Sequence, residues 1–167
     1  LFGTIMNKCG MGRFFNDLAL AFAGSSKGGP AKIAVIASGF LGSINGSAVA
    51  NVVTTGTFTI PLMKKTGYSK EFAGAVESSA SVGGQLLPPI MGAAAFIMAE
   101  MLGVKYGTIV VSAAIPALLY YLGIMVQVQL RASKLDLKGL PKEQLPLVRD
   151  VLTERGHLLI PIAVLLY

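Results

Sequence analysis

The chain has 167 residues, of which 53% are hydrophobic and 13% charged, against roughly 25% charged in a soluble globular domain; too few charges to coat a soluble globule imply an integral membrane protein. The formal net charge of +6 does not describe a nucleic-acid surface, because the basic residues are not interleaved with aromatics and lie between apolar spans, where membrane orientation accounts for them. One cysteine, Cys9, and one histidine, His157, exclude an intrachain disulfide framework and a multi-cysteine metal centre, so neither metal nor cofactor is expected.

Residues 1–10 read as the end of a transmembrane helix, with Lys8 at the interface. Residues 11–29 follow as an interfacial amphipathic helix and turn. Phe14, Phe15, Leu18 and Phe22 recur at helical spacing, Arg13, Asn16 and Asp17 interrupt them, and about a dozen residues are too few to span a bilayer. Pro30 suits the first turn of the next helix.

Residues 30–66 read as a re-entrant hairpin. No charged residue occurs from Ile33 to Met63, yet the centre of this run carries Ser43, Asn45, Ser47, Asn51, Thr54 and Thr55 among glycines. Irregular polar backbone survives at membrane depth only where protein buries it or a cavity borders it. Two half-helices meeting near Asn45, Gly46 and Ser47 satisfy that condition. Lys27 and Lys32 flank the entry and Lys64, Lys65 and Lys70 the exit; a re-entrant path puts both clusters on one face, which the positive-inside rule assigns to the cytoplasm.

Residues 67–103 read as a discontinuous transmembrane helix, interrupted by Gly83-Gly84-Gln85-Leu86-Leu87-Pro88-Pro89. Glycine and proline there free carbonyls and amides to face a ligand. Lys105 is the only basic residue of the short outer loop. Residues 104–130 form the clearest transmembrane helix, with Pro116 as a kink and Tyr120 and Tyr121 within it. A basic cytoplasmic connector over 131–155 and the start of a further transmembrane helix over 156–167 complete the order. The architecture predicted is an all-α polytopic membrane protein, cut at both ends from a longer chain.

The candidate site joins the two discontinuous elements. At the hairpin it comprises Ser43, Asn45, Gly46, Ser47 and Asn51, and at the break Ser81, Gly83, Gly84, Gln85, Pro88 and Pro89. Small residues also serve close helix packing, but a buried carboxamide is costly without partners. The oxygen-only set of hydroxyls, including those of Ser78 and Ser79, and freed carbonyls suits a hard cation such as sodium. Glu77, about two turns inside the membrane, could carry a proton, neutralise a cation or hold a neighbouring helix. A serine nucleophile would need a base within reach, and His157 sits far along the chain at a membrane edge, so no enzymatic activity is expected.

The stretch GSINGSAVANVVTTGTFTIPLMKKTGYSKEFAGAVESSASVGGQLLPPIMGAAAFIMAE resembles the large membrane subunit of tripartite ATP-independent periplasmic (TRAP) transporters, most closely the fused permeases that work with TAXI-type binding proteins. The resemblance extends from about Leu1 to Leu140 and is most specific over Gly42–Met63 and Glu71–Glu100. It implies an elevator-type secondary transporter in a bacterial or archaeal inner membrane, taking up a small organic acid or amino acid delivered by a periplasmic solute-binding protein. The coupling ion implied is sodium, with a proton as the alternative. A small TRAP membrane subunit, separate or fused, is the implied partner, and Ser43, Asn45, Gly46, Ser47 and Asn51 become the first hairpin tip. The chain departs from the better-known dicarboxylate and sugar-acid members at Gly84-Gln85-Leu86, where they have a glycine-isoleucine-rich break, and at Glu77. The alternatives in function are a binding-protein-independent elevator carrier of dicarboxylates, a channel with re-entrant pore loops, and a non-transporting assembly subunit.

Overall fold

The computed structural model describes residues 14, 17–21 and 26–137, and within them every regular element is a helix. The expectations for residues 1–10, for most of 11–29, and for 138–167, with Cys9 and His157, lie outside the described residues. Five helices follow in order: α1 Gly29–Asn45, α2 Ala48–Lys65, α3 Lys70–Gly83, α4 Ala93–Leu102 and α5 Tyr106–Lys134.

α1 and α2 pack against each other as a helical hairpin joined at Gly46 and Ser47. Gly46 ends α1 at φ 65°, its amide returning to Gly42 O, a left-handed conformation that glycine adopts without steric cost. Ser47 then starts α2, its hydroxyl accepting from the Ala50 amide at 3.3 Å, and so satisfies one of the amides a helix start leaves unpaired. α3 is capped in the same way by Ser69, which accepts from the Phe72 amide at 3.3 Å.

α1 is the central element, with 13 of its 17 residues buried and packed against α2, α3 and α5. Alanine and glycine allow this close approach. Ala31, Ala34 and Val35 meet Met63, Val76, Ala80, Val128 and Ala132 in one core. α5 runs antiparallel to α1 and α3, with the Tyr121 ring beside Gly39, Ala132 beside Gly28, and the Arg131 guanidinium 5.6 Å from the centre of the Phe72 ring. The base of the hairpin and the end of α5 therefore meet at one end of the bundle, which gathers the basic residues Lys27, Lys70, Arg131 and Lys134.

α5 alone among the described helices is long and apolar enough to cross a membrane. At 29 residues it measures about 43 Å, beyond the roughly 30 Å of a hydrocarbon core. Val111, Ile115, Leu119, Leu122 and Val126 are exposed along it. It continues four residues into the stretch assigned from sequence to the connector. Arg131 and Lys134 occupy its last turn, where cations are favoured by the helix dipole, so charge here marks the end of the helix without stopping it earlier.

α3 stops at Gly83, α4 starts at Ala93, and the intervening residues are irregular. Tyr120 and Tyr121 brace the end of α3, their hydroxyls donating to Ser79 O at 2.9 Å and Ala80 O at 2.7 Å. Replacing Tyr121 by phenylalanine is expected to lower stability by about 1 kcal/mol, the usual net worth of one such bond, read as a fall in melting temperature. An unchanged melting temperature would remove the brace.

Candidate functional site

The hairpin tip and the helix break lie against each other. Ser43 O accepts from the Ile90 amide at 3.1 Å and the Met91 amide at 3.3 Å, and inside the break Gln85 O accepts from the Gly92 amide at 2.8 Å. The approach is backbone to backbone. A Cβ at Gly42 would lie 2.9 Å from Gly84 Cα, and one at Gly46 would collide with Met91 O. Tyr106 at the start of α5 donates to Ile90 O and holds the far side of the break.

At the tip most polar groups are engaged. Asn45 Oδ1 accepts from the Ser47 amide at 3.0 Å, and Ser43 Oγ donates to Phe40 O at 2.8 Å. Asn45 Nδ2 is buried and has no partner. The unsatisfied group at the tip is thus a donor, which suits an acceptor such as a carboxylate.

About two turns from the tip along α1 and α2 is a second constellation, centred on Glu77, which is 0% exposed. Its Oε1 accepts from Ser38 Oγ at 2.7 Å, from Ser81 Oγ at 3.2 Å and from Thr55 Oγ1, and its Oε2 accepts from Thr59 Oγ1. Asn51 joins through Nδ2, which donates to Ser38 O at 2.8 Å and to Ser81 Oγ at 3.2 Å, while its Oδ1 is buried without a partner. Three helices contribute: α1 gives Ser38, α2 gives Asn51, Thr55 and Thr59, and α3 gives Glu77 and Ser81. Gly56 makes room for the carboxylate stem, since a Cβ there would lie 3.2 Å from Glu77 Cγ.

The residues proposed from sequence therefore do not gather in one place. Ser43 and Gly46 meet the break at Gly84, Ile90, Met91 and Gly92, Gly83 faces Tyr120 and Tyr121 instead, and Asn51 and Ser81 belong to the Glu77 cluster. Ser78 is exposed and Ser79 lies towards α5, its carbonyl accepting from Tyr120. Ser38 and Thr59 were not anticipated, nor was Thr55 as a partner of Glu77. Asn51, Thr55 and Thr59 do recur at intervals of four, a polar stripe on one face of a helix, and that signal was available in the sequence. Among the described residues no group of three or more His, Cys, Asp and Glu could hold a metal ion. An apolar cleft of about 320 Å³ lined by Val35, Ile36, Phe40, Leu87, Leu118 and Met125 offers nothing to a charged solute.

The profile of the tripartite ATP-independent periplasmic transporter DctM component matches residues 1–167. A C4-dicarboxylate TRAP transporter large permease protein DctM of Vibrio cholerae is 32% identical over 143 residues, covering 86% of this chain and 30% of that protein. Its namesake in Pseudomonas aeruginosa is 30% identical over 145 residues, 87% of this chain and 34% of that one. An isethionate TRAP transporter permease protein DctMQ of Oleidesulfovibrio alaskensis is 34% identical over 87 residues, 52% of this chain and 14% of its own length. The chain thus spans about a third of the first two relatives.

Proposed function

The chain belongs to the DctM component family of tripartite ATP-independent periplasmic transporters, and on that premise we propose that it forms part of a permease that imports a small organic anion down an ion gradient. The observation that carries the reading is the buried, unpartnered Asn45 amide donor at a hairpin tip whose Ser43 and Gly46 abut the break at Gly84, Ile90 and Met91. The names of the relatives point the same way, because C4-dicarboxylates and isethionate are both small anions. The hairpin and the broken helix form the mobile, elevator-type part, in a multi-pass protein of the bacterial or archaeal inner membrane. A periplasmic binding protein, of the TAXI type, hands over the solute, and a small membrane subunit, separate or fused, completes the assembly. Coupling requires that ion and solute both favour the same conformation. Sodium is the coupling ion proposed for the junction, where carbonyl oxygens and Ser43 Oγ are its ligands. Asn51 and Ser81 are assigned to the Glu77 cluster and are not counted among those ligands.

The test is uptake of labelled succinate or isethionate by the full-length permease in proteoliposomes, with the binding protein present or omitted, under a sodium gradient and separately under a proton gradient. Uptake that needs the binding protein and a gradient supports the reading, and uptake indifferent to the binding protein overturns it in favour of an independent carrier. Asn45→Ala is expected to reduce uptake about tenfold, the equivalent of one hydrogen bond of about 1.4 kcal/mol to a charged group. Insertion into the membrane should be unaffected. Wild-type uptake by a correctly inserted Asn45→Ala protein would remove the tip from the solute site.

A further inference from the structure

Glu77 is a buried carboxyl group without a cation. The salt bridges of Lys27 with Asp136 and of Lys70 with Glu71 are exposed and do not involve it. α1 and α2 present no charged residue between Ile33 and Met63. On α3 the other ionisable groups are Lys70 and Glu71, which pair with each other at the exposed end. On α5 Tyr121 is within electrostatic reach but donates to Ala80 O, Tyr120 donates to Ser79 O, and Arg131 lies over Phe72. A permanently ionised carboxylate in such a place is normally held by a cation or by fixed N–H donors. Here every donor is a hydroxyl.

A hydroxyl carries one rotatable proton and can accept as well as donate, and the alternative acceptors are in place. Thr59 Oγ1 lies 3.0 Å from Thr55 O, and Thr55 Oγ1 lies 2.8 Å from Asn51 O. With Glu77 ionised, Ser38, Thr55, Thr59 and Ser81 all donate to it. With a proton on Oε2, the carboxylic acid donates to Thr59 Oγ1, and the Thr59 proton swings to Thr55 O. Ser38 and Ser81 continue to donate to Oε1. A proton on Oε1 is accommodated in the same way by Thr55, whose own proton turns to Asn51 O. In each protonation state the Glu77 carboxyl group and the hydroxyls of Ser38, Thr55, Thr59 and Ser81 all have a partner in one arrangement of heavy atoms.

We propose that Glu77 is a reversible proton-binding site between the two arms of the hairpin and α3, in which the Thr55 and Thr59 hydroxyls switch between the carboxyl group and the backbone carbonyls one turn back. This deepens the transport reading by assigning a proton to the coupled ions, but the titration requires neither solute nor transport. It therefore stands or falls separately from uptake.

The test is infrared difference spectroscopy of the full-length permease in lipid nanodiscs, without solute and in sodium-free buffer, as pH is lowered from about 9 to about 4. The wild type is expected to gain a protonated-carboxyl stretch that is lost in Glu77→Gln and shifted in Thr59→Val, where the acid has lost its acceptor. A difference spectrum identical in wild type and Glu77→Gln overturns the proposal. Should Glu77→Gln fail to fold, Thr59→Val decides by itself, since a carboxyl band unmoved by that substitution overturns the relay.

Discussion

Gly84→Ala is expected to separate the hairpin from the helix break and to abolish uptake. Gly84 has φ −59° and ψ −28°, values alanine adopts freely, so the backbone itself sets no penalty. The cost lies in contact. The added Cβ would stand 2.5 Å from Gly42 Cα and 2.8 Å from Gly42 C, and these are main-chain atoms that no side-chain rotation can move aside. Overpacking of this kind costs typically about 1–3 kcal/mol, and relief by moving the chains apart would break the bonds from Ile90 and Met91 to Ser43 O. Gly74→Ala is the control. Nothing lies within 4 Å of that position, and within a helix alanine is favoured over glycine by up to about 1 kcal/mol. A melting temperature lowered by Gly84→Ala and unchanged or raised by Gly74→Ala is the expected result; a Gly84→Ala protein with wild-type melting and uptake would show that the two backbones do not touch.

Glu77→Ala is expected to be the most destabilising single change in the Glu77 cluster, at about 2–5 kcal/mol, whereas Glu77→Gln should cost about 1 kcal/mol or less. Alanine leaves a cavity among three helices and removes the shared acceptor of four hydroxyls. The threonines can turn to carbonyls, but Ser38 and Ser81 lose the group to which they donate. Glutamine preserves the shape and imitates the protonated acid. Its Oε1 accepts from Ser38 and Ser81, and its Nε2 donates to Thr59 Oγ1. Thermal unfolding of the two purified variants beside wild type separates the cases, and equal melting of the alanine and glutamine proteins would mean that Glu77 is not the hub of the cluster. Glu77→Gln should also render any proton-driven component of uptake insensitive to the proton gradient, because an amide cannot take up and release the proton.

Much of the fold was legible because the signals are local. The charge-free run from Ile33 to Met63 with a polar centre predicts a hairpin over 30–66, and the arms are Gly29–Asn45 and Ala48–Lys65. Glycine and proline predict the break at 83–89; it extends to Gly92, because Met91 adopts φ 61° and Gly92 is still extended ahead of α4. The helix expected to end at 130 runs on to Lys134, since basic residues at a helix end are compatible with continuing it. These are questions about neighbouring residues, which the chain itself answers.

The site was legible only in part. Glu77, Asn51 and Ser81 were identifiable as polar groups at membrane depth, but not as one cluster. Nor could it be read that Asn45, six residues before Asn51, belongs to a different group. Membrane class and family follow from the residues alone, because hydrophobic composition, charge asymmetry and backbone chemistry act over a few residues at a time. That Ser38 meets Glu77 across 39 positions and Thr59 meets it across 18 is a matter of how the helices pack. Those meetings depend on the relative rotation and height of α1, α2 and α3. That registry is set by where one backbone can approach another, Gly42 on Gly84 and Gly56 on the stem of Glu77, and no periodicity within a single helix encodes it.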